Sequence, residues 1–198
     1  MFNSRNRKQL KRYSLILLAL IISLLTAVLS KQEPDSYSEP LNTHKFREAE
    51  VLSVTDGDTF KVRSEDGSVE KVRLLLIDTP ETKRANTSVQ PFGPEASDYL
   101  TELLTGQTVQ LESDMSERDQ YGRILAYVYL GDKMVNELML AEGLARVAVY
   151  PPDVKYEAQF RRIEEQAKSA KLGVWSIDHY VTERGFNSAA ATAVPSSN

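Results

Sequence analysis

The sequence of 198 residues contains no cysteine and only two histidines, and these gaps argue against several classes of function. Without cysteine there are no disulfides, no thiolate zinc or iron–sulfur sites, and no cysteine nucleophile. The histidines, His44 and His179, lie far apart in the sequence and near the edges of the predicted domain. A histidine-built metal site or a Ser/His/Asp triad is therefore disfavoured, and both histidines are expected to be surface or tail residues.

The longest hydrophobic run is short for a membrane span. It extends from Leu15 to Leu29, fifteen residues, against the ~20 that a spanning helix needs. Five basic residues and no acidic residue precede it, an order typical of an export signal. We therefore predict a cleaved signal peptide over residues 1–30, with an uncleaved membrane anchor as the alternative. Either one predicts a protein that is secreted or anchored at the cell surface.

The rest of the chain has few positive charges. The whole sequence carries 24 Lys and Arg against 28 Asp and Glu. Without the five basic residues of the predicted signal, 19 basic residues stand against 28 acidic ones, a net charge of about −9. This balance argues against binding of polyanions over a broad surface, although it is compatible with a local basic cleft.

Residues 46–180 are predicted to form one domain, between a flexible linker at 31–45 and a low-complexity, disordered tail at 181–198. In the first 35 residues of this domain, β-favouring runs alternate with the turns "DGD" and "EDGS", which predicts three antiparallel strands. Further strands are predicted at "TVQLES" and "RILAYVYL", and helices at "FGPEASDYLTELLTGQ", at "MVNELMLAEG" and after the "PPD" turn. This order predicts a small closed β-barrel with three helices packed against it.

Carboxylates gather at two predicted strand ends. Asp56 and Asp58 lie on either side of Gly57 in a turn, whereas Asp78 and Glu81 follow the apolar run "LLLI". If the barrel brings these ends together, Asp58, Asp78, Glu81 and the backbone carbonyl of Thr79 offer hard oxygen ligands. Such ligands suit calcium and, less well, magnesium or manganese. Because close carboxylates repel one another unless a cation lies among them, the pattern predicts a metal site.

Two arginines, Arg73 and Arg123, offer planar charged donors for a phosphate group. Arg73 and Asp78 can share one site only if the strand between them is interrupted, and Pro80 predicts that interruption. A cation, two arginines and a spare carboxylate together fit cleavage of a phosphodiester. Taken singly, each fragment also has a structural interpretation, as a common turn or as a salt bridge at a strand edge.

A second group of acids follows the fourth predicted strand. It resembles another metal cluster, but a solvated loop is the preferred interpretation. Its members are Glu112, Asp114, Glu117 and Asp119.

The domain resembles the thermonuclease family, the staphylococcal-nuclease-like calcium-dependent nucleases. The resemblance runs in order from about residue 46 to residue 176, through "DGDT", "RLLLIDTPET", "FGPEAS", "YGRILAYVY", "KMVNE", "EGLARVA" and "AKLGVWS". It implies an OB-type five-stranded barrel with three helices. It also implies calcium-dependent attack of water on phosphorus with loss of the 5′ oxygen, which leaves 3′-phosphorylated products from DNA and RNA.

The resemblance assigns roles to individual residues. Asp58 and Asp78 would bind calcium together with the Thr79 carbonyl, and Asp56 would support these ligands from behind. Glu81 is the candidate general base or water-positioning group. The resemblance implies that the scissile phosphate is bound and its transition state stabilised by Arg73 and Arg123.

The nucleotide-binding residues depart from the family pattern. Gln120 replaces a lysine, Tyr121 is retained, and Tyr150 is the only tyrosine where two usually line the pocket. Because stacking of a base on an aromatic ring contributes roughly 1–3 kcal/mol, these changes predict weaker substrate binding. No stable protein partner is predicted, and a monomer is expected. The alternative function is a catalytically silent module that binds nucleic acid or a protein partner.

Overall fold

The computed structural model describes residues 46–82 and 89–192 of the chain. The predicted signal or anchor and the predicted linker lie outside the described residues. No helix within 46–82 or 89–192 is long and apolar enough to span a membrane.

Five strands form a closed barrel. The first three pair as an antiparallel meander, as predicted, and the fourth barrel strand pairs with the other side of the first. The last barrel strand is antiparallel to its predecessor and parallel to the third strand, which closes the sheet on itself. The OB-type fold is therefore confirmed. The barrel strands are β1 Phe46–Asp56, β2 Thr59–Ser64, β3 Val69–Leu74, β5 Thr108–Glu112 and β6 Ile124–Leu130.

Helices and short strands surround the barrel. The described residues contain four α-helices, one more than predicted: α1 Gly93–Leu104, α2 Val135–Ala141, α3 Glu157–Ser169 and α4 Ser188–Thr192. Two-residue strands form β4 Ile77–Asp78, β7 Lys133–Met134, β8 Arg146–Val147, β9 Val181–Thr182 and β10 Gly185–Phe186, and a 3₁₀ turn covers Gly173–Ser176. Of these, β4 and β8 pair with each other and carry Asp78 opposite Arg146.

The core follows the alternation of the strands. Phe60 and Val62 of β2 point inward and are completely buried, as are Leu100 and Leu104 of α1. Burial of one such side chain contributes about 1.5–3 kcal/mol, so the barrel gives the strand ends a rigid framework. The acidic residues of the site lie at these ends.

The strand between Arg73 and Asp78 is interrupted, but not at the predicted place. The break occurs at Leu75 and Leu76, where Leu76 adopts a left-handed conformation with φ of 59°. Buried Asn136 stabilises the break, because its side-chain amide donates to the Leu75 carbonyl at 2.9 Å. The proposed role of Pro80 in this interruption is therefore wrong, since β4 forms before Pro80 is reached.

The predicted disordered tail is wrong for residues 181–192, which form β9, β10 and α4. Tyr180 anchors this segment: it is completely buried, and its hydroxyl donates to the Pro91 carbonyl at 2.7 Å. Its ring contacts that of Phe186 at 5.4 Å between centroids. A single buried aromatic residue thus orders a stretch whose composition indicates a tail.

The solvated-loop interpretation of the second acidic group is wrong for Glu112. Its carboxylate is 1% exposed and is bound by Lys155, by the Tyr129 hydroxyl at 2.8 Å and by the Tyr156 hydroxyl at 3.0 Å. Asp119 is also engaged, since it pairs with Arg123. Alternation in β5 brings Glu112 next to partners from distant segments, which the local sequence does not reveal.

Candidate active site

The turn between β1 and β2 fixes Asp58 against the β4 segment. The Asp56 carboxylate accepts a hydrogen bond from the Asp58 backbone N–H at 3.2 Å. A Cβ on Gly57 would lie 2.8 Å from the Thr79 Oγ1 and 2.8 Å from the Ala96 Cβ, so only glycine allows this approach. The turn is consequently held against the strand that carries Asp78.

Asp58, Thr79 and Arg73 are in direct contact. The Asp58 Oδ2 accepts from the Thr79 backbone N–H at 3.4 Å and from its hydroxyl at 3.3 Å. The Arg73 Nη2 lies 3.0 Å from the Asp58 Oδ2 and 3.7 Å from the Asp78 Oδ1. The predicted meeting of the two strand-end regions is therefore present in the structure.

The interrupted strand wraps around the Arg73 guanidinium. The Arg73 Nη1 donates to the carbonyls of Leu74 and Ile77, both at 2.9 Å, on either side of the break. This double contact orients the planar guanidinium, and its other nitrogen faces the carboxylates. Lysine could not make the same set of contacts, because it lacks the fixed fork of donors.

Arg146 is a site residue that the sequence analysis missed. Its Nε and Nη2 each lie 2.9 Å from the Asp78 Oδ2, and the residue is 7% exposed. Its place in the "EGLARVA" motif was noted, but an arginine in an apolar extended run gives no local sign of its partner. The pairing of β4 with β8 brings it there.

Two acids of the site, Asp56 and Asp78, have raised pKa values. Burial and the neighbouring Asp58 raise the pKa of Asp56 to about 6. Burial also raises the pKa of Asp78, even though Arg146 and Arg73 act in the opposite direction. The guanidinium groups therefore do not fully compensate the loss of hydration.

The donor set of this site fits a hard cation. No group of three or more His, Cys, Asp or Glu residues within the described ranges is arranged to hold a metal by those side chains alone. Asp58 and Asp78 nevertheless meet at Arg73, and Thr79 lies against Asp58. These groups offer oxygen atoms, the ligands that calcium prefers, and calcium completes its shell with backbone carbonyls and water. The raised pKa values are the expected result of carboxylates that need more positive charge.

Arg123 lies at the same site and is aimed by Asp119. The Arg123 Nε donates to the Asp119 Oδ2 at 2.6 Å, and its Nη1 donates to the Thr59 Oγ1 at 3.3 Å. The Thr59 hydroxyl in turn donates to the Asp58 Oδ1 at 2.9 Å. Arg123 is thus linked to the carboxylates through a single hydroxyl, and Asp119, expected in a solvated loop, is its positioning partner.

A cleft of about 450 Å³ contains both arginines and both predicted substrate-binding tyrosines. Tyr121 is 76% and Tyr150 66% exposed, so each presents a ring to solvent. The Arg123 guanidinium lies 5.7 Å from the centre of the Tyr121 ring, and Gln120 lies on the same wall. The cleft can therefore receive a phosphate and an aromatic base together.

Glu81 follows β4 and is held through its backbone. Its N–H donates to the Gln90 Oε1 at 2.8 Å, and its carbonyl accepts from the Gln90 N–H at 3.0 Å. Glu81 is not among the residues that line the 450 Å³ cleft. Asp56, Asp58, Asp78 and Thr79 do not line it either, but the contacts above join them to Arg73 and Arg123. Glu81 lies beyond Asp78 on the same turn.

Several known proteins are similar in sequence to this chain. Residues 71–177 match the family model described as "Staphylococcal nuclease homologue". The chain is 54% identical over 145 residues to the SPbeta prophage-derived endonuclease YokF of Bacillus subtilis (strain 168), which covers 70% of this chain and 49% of that protein. It thus spans about half the length of that relative.

Two other relatives are covered more fully. Endonuclease YncB of Bacillus subtilis (strain 168) is 51% identical over 151 residues, 73% of this chain and 71% of that protein. The thermonuclease of Staphylococcus hyicus is 42% identical over 162 residues, 82% of this chain and 95% of that protein. On the strength of the family match and of these relatives, the chain belongs to the staphylococcal nuclease homologue family.

Proposed function

We propose that this chain is a calcium-dependent extracellular nuclease that hydrolyses phosphodiester bonds of DNA and RNA to 3′-phosphorylated products. Its family and the endonuclease and thermonuclease names of its relatives support hydrolysis of nucleic acid. The proposal goes further in naming the metal, the two substrates, the products and the location. These details rest on the chemistry of the site and on the sequence.

One observation carries the proposal: two arginines and two carboxylates meet at one end of the barrel. Arg73 lies 3.0 Å from Asp58 and 3.7 Å from Asp78, and Arg123 reaches the same carboxylate group through Thr59. The net charge of the chain is negative, so this local pair of guanidiniums stands out from the rest of its surface. Such a site suits a single phosphate and a single cation better than a long polyanion.

Asp58, Asp78 and the Thr79 carbonyl would hold the calcium ion, and Asp56 would support them from the turn. The ion, when bound, supplies positive charge that stabilises the phosphoryl oxygens in the transition state. Arg146 neutralises the outer oxygen of Asp78 and keeps that side chain in place.

The side chains of the chain perform the remaining steps. Arg73 and Arg123 bind the scissile phosphate and stabilise the charge that develops on it. Glu81 accepts a proton from a water molecule, whose oxygen forms a bond to phosphorus. The bond from phosphorus to the 5′ oxygen breaks, that oxygen takes up a proton from solvent water as it leaves, and the phosphate remains on the 3′ side.

Tyr121 and Tyr150 form the substrate-binding part of the cleft. Both rings are exposed and can stack on bases without selecting a particular one. Gln120 supplies no charge at the edge where the family has a lysine, and the surface is acidic overall. We therefore expect weak substrate binding, with a Michaelis constant above that of basic family members at equal salt.

We propose residues 1–30 as a signal or anchor, 31–45 as a linker and 46–180 as the nuclease domain, followed by the ordered segment 181–192. The protein would act outside the cytoplasm as a monomer without a stable protein partner. Its products would then form in the surrounding medium or at the cell surface.

The test follows acid-soluble nucleotide release from denatured DNA and from RNA by the purified chain, with calcium and with a chelator. We expect calcium-dependent release that a Glu81→Gln variant loses, since glutamine cannot accept the proton. A folded protein that releases no nucleotide at any calcium concentration would overturn the proposal in favour of the silent binding module.

A further inference from the structure

The backbone of Glu81 is bracketed by a single residue, Gln90. Two hydrogen bonds join them: the Glu81 N–H donates to the Gln90 side-chain oxygen at 2.8 Å, and the Gln90 N–H donates to the Glu81 carbonyl at 3.0 Å. Gly93 lies close to the same carbonyl, since a Cβ on it would be 2.9 Å from the Glu81 oxygen. The backbone of Glu81 is therefore tied to the place where Gln90 is held.

The other end of the Gln90 side chain is bound by the C-terminal hairpin, defined as residues 181–188, which comprise the β9–β10 unit and the two residues after it. The Gln90 Nε2 donates to the Ser188 hydroxyl at 3.3 Å and to the Phe186 carbonyl at 3.5 Å. One amide thus connects Glu81 with a segment more than 100 positions later in the chain. Both ends of the amide are used, so its orientation is fixed by its partners.

The hairpin is itself anchored beside Gln90. The Asn187 N–H donates to the Tyr180 carbonyl at 2.7 Å, and the Tyr180 hydroxyl donates to the carbonyl of Pro91, the residue after Gln90, at 2.7 Å. Tyr180 is completely buried and packs on Phe186. These contacts attach the hairpin to both sides of the Gln90 side chain.

The hairpin also contacts the partner of Asp78. The Arg146 Nη1 donates to the Glu183 carbonyl at 3.4 Å, and the Arg146 guanidinium lies 6.0 Å from the centre of the Phe186 ring. A Cβ on Gly185 would be 3.9 Å from the Asp78 Oδ2. The hairpin therefore supports the site at two points, although it lies beyond the 71–177 segment that matches the family model.

We propose that Gln90 is a positioning residue for Glu81 and that the C-terminal hairpin holds Gln90 in place. The inference rests on the proposed role of Glu81 as the base. A general base must lie within hydrogen-bond reach of the water it deprotonates, and a displacement of about 1 Å can cost on the order of 10² in rate. Loss of the hairpin loosens Gln90 and, through it, Glu81, while the phosphate-binding arginines stay in place.

The experiment compares the full chain with a chain that ends at Tyr180, a Gln90→Leu variant and the combination of both. We expect kcat to fall roughly tenfold in each single variant with KM within about twofold, because substrate binding relies on Arg73, Arg123 and the tyrosines. The combined variant should lose less kcat than the product of the two single losses, since both changes act in part through one side chain. Gln107→Leu, a change of an exposed glutamine outside the site, and a chain that ends at Thr192 are the matched controls and should keep full activity.

A second readout is independent of activity. Hydrogen exchange at the Glu81 amide should accelerate at least tenfold in the shortened chain and in Gln90→Leu, while amides of β2 keep their protection. Unchanged exchange at Glu81, or additive losses of kcat in the combined variant, would overturn the positioning role. If the full chain itself lacks activity, the proposed function fails, and the exchange data still decide whether the hairpin holds Glu81. Gln90→Leu leaves the hairpin intact, so it tests the inference even if the shortened chain does not fold.

Discussion

Two groups of buried carboxylates in the same barrel differ in how their charge is balanced. In the Glu112 cluster, defined as Glu112, Lys155, Tyr129 and Tyr156, burial raises the pKa of Glu112, but hydrogen bonds from Lys155 and both tyrosines outweigh burial. The pKa of Glu112 is therefore held below its ordinary value. Among the active-site acids, defined as Asp56, Asp58 and Asp78, the pKa values of Asp56 and Asp78 are raised.

The difference supports a structural role for the Glu112 cluster and the proposed metal-binding role for the active-site acids. The Glu112 cluster provides its own counter-charge and donors, so it has no need of a ligand. The active-site acids have two guanidiniums beside them and still lack compensation, because burial removes more hydration than Arg73 and Arg146 return. A cation at the active-site acids would improve the charge balance there, whereas one at the Glu112 cluster would displace Lys155.

The largest expected effect comes from Arg123→Ala, which removes positive charge beside the active-site acids. We expect kcat to fall on the order of 10² or more, as for removal of one preorganised transition-state donor. The free energy of unfolding should change by less than about 1 kcal/mol, because the Arg123–Asp119 pair is partly exposed. Steady-state kinetics and urea unfolding measure the two effects, with Arg63→Ala, which breaks an exposed pair with Glu50, as the control. Near-full activity in Arg123→Ala would remove Arg123 from the phosphate site.

Glu112→Gln should show the opposite pattern. The charge that binds Lys155 is lost in a site that is 1% exposed, while the amide retains an oxygen for the tyrosines. We expect a loss of about 1–3 kcal/mol in the free energy of unfolding from urea titration, because the lysine end of the pair is partly exposed. Activity per folded molecule should stay unchanged, and a large loss of kcat at full stability would make the Glu112 cluster functional.

The free energy of unfolding of the wild type should depend on pH differently from that of Glu112→Gln. Because the folded-state pKa of Glu112 lies below its unfolded value, its contribution is complete above the unfolded pKa, near 4.5, and is lost as the pH falls through the folded pKa. The difference in unfolding free energy between the wild type and Glu112→Gln should therefore be constant from pH 7 to about 5.5 and shrink below 4.5. A difference that grows on acidification would reverse the sign assigned to this cluster.

The smallest expected effect comes from Gln120→Lys, which adds one positive charge at the cleft. We expect KM to fall a few-fold at low salt, with kcat unchanged, because an exposed lysine adds a screened attraction to the phosphate backbone. The gain should disappear as the salt concentration rises. Gln107→Lys adds the same charge on another exposed loop and controls for net charge; an equal fall in KM there would show that the cleft position is irrelevant.

The sequence predicts much of this site because its residues lie at strand ends with characteristic spacing. The turn around Gly57 and the acids after the apolar run are local features, so Asp58, Arg73 and Asp78 could be grouped once a barrel was predicted, whereas the position of the break before Asp78 could not be found. Arg146 could not be found in this way, because its partner is 68 positions distant and only the β4–β8 pairing joins them. The same holds for Gln90, whose contacts reach residues 96 and 98 positions away.

The local composition predicts the wrong structure where a long-range contact determines the conformation of the backbone. The break at Leu76 requires a left-handed leucine, which no propensity favours, and it is supported by the buried side chain of Asn136. Residues 181–192 have the composition of a tail, yet Tyr180 and Phe186 order them against the site. Such contacts are decided by tertiary packing, which a linear pattern does not encode.

Calcium binding measured by titration calorimetry addresses the difference between the two carboxylate groups most directly. The wild type and Glu112→Gln should both bind calcium, whereas Asp58→Asn should not, because Asp58 is a proposed calcium ligand and Glu112 already has Lys155 as its counter-charge. Thermal unfolding of each variant confirms that it is folded, and calcium should raise the unfolding temperature of the wild type and of Glu112→Gln only. Equal calcium binding by a folded Asp58→Asn variant, or no binding by the wild type, would contradict the assignment of the metal to this site.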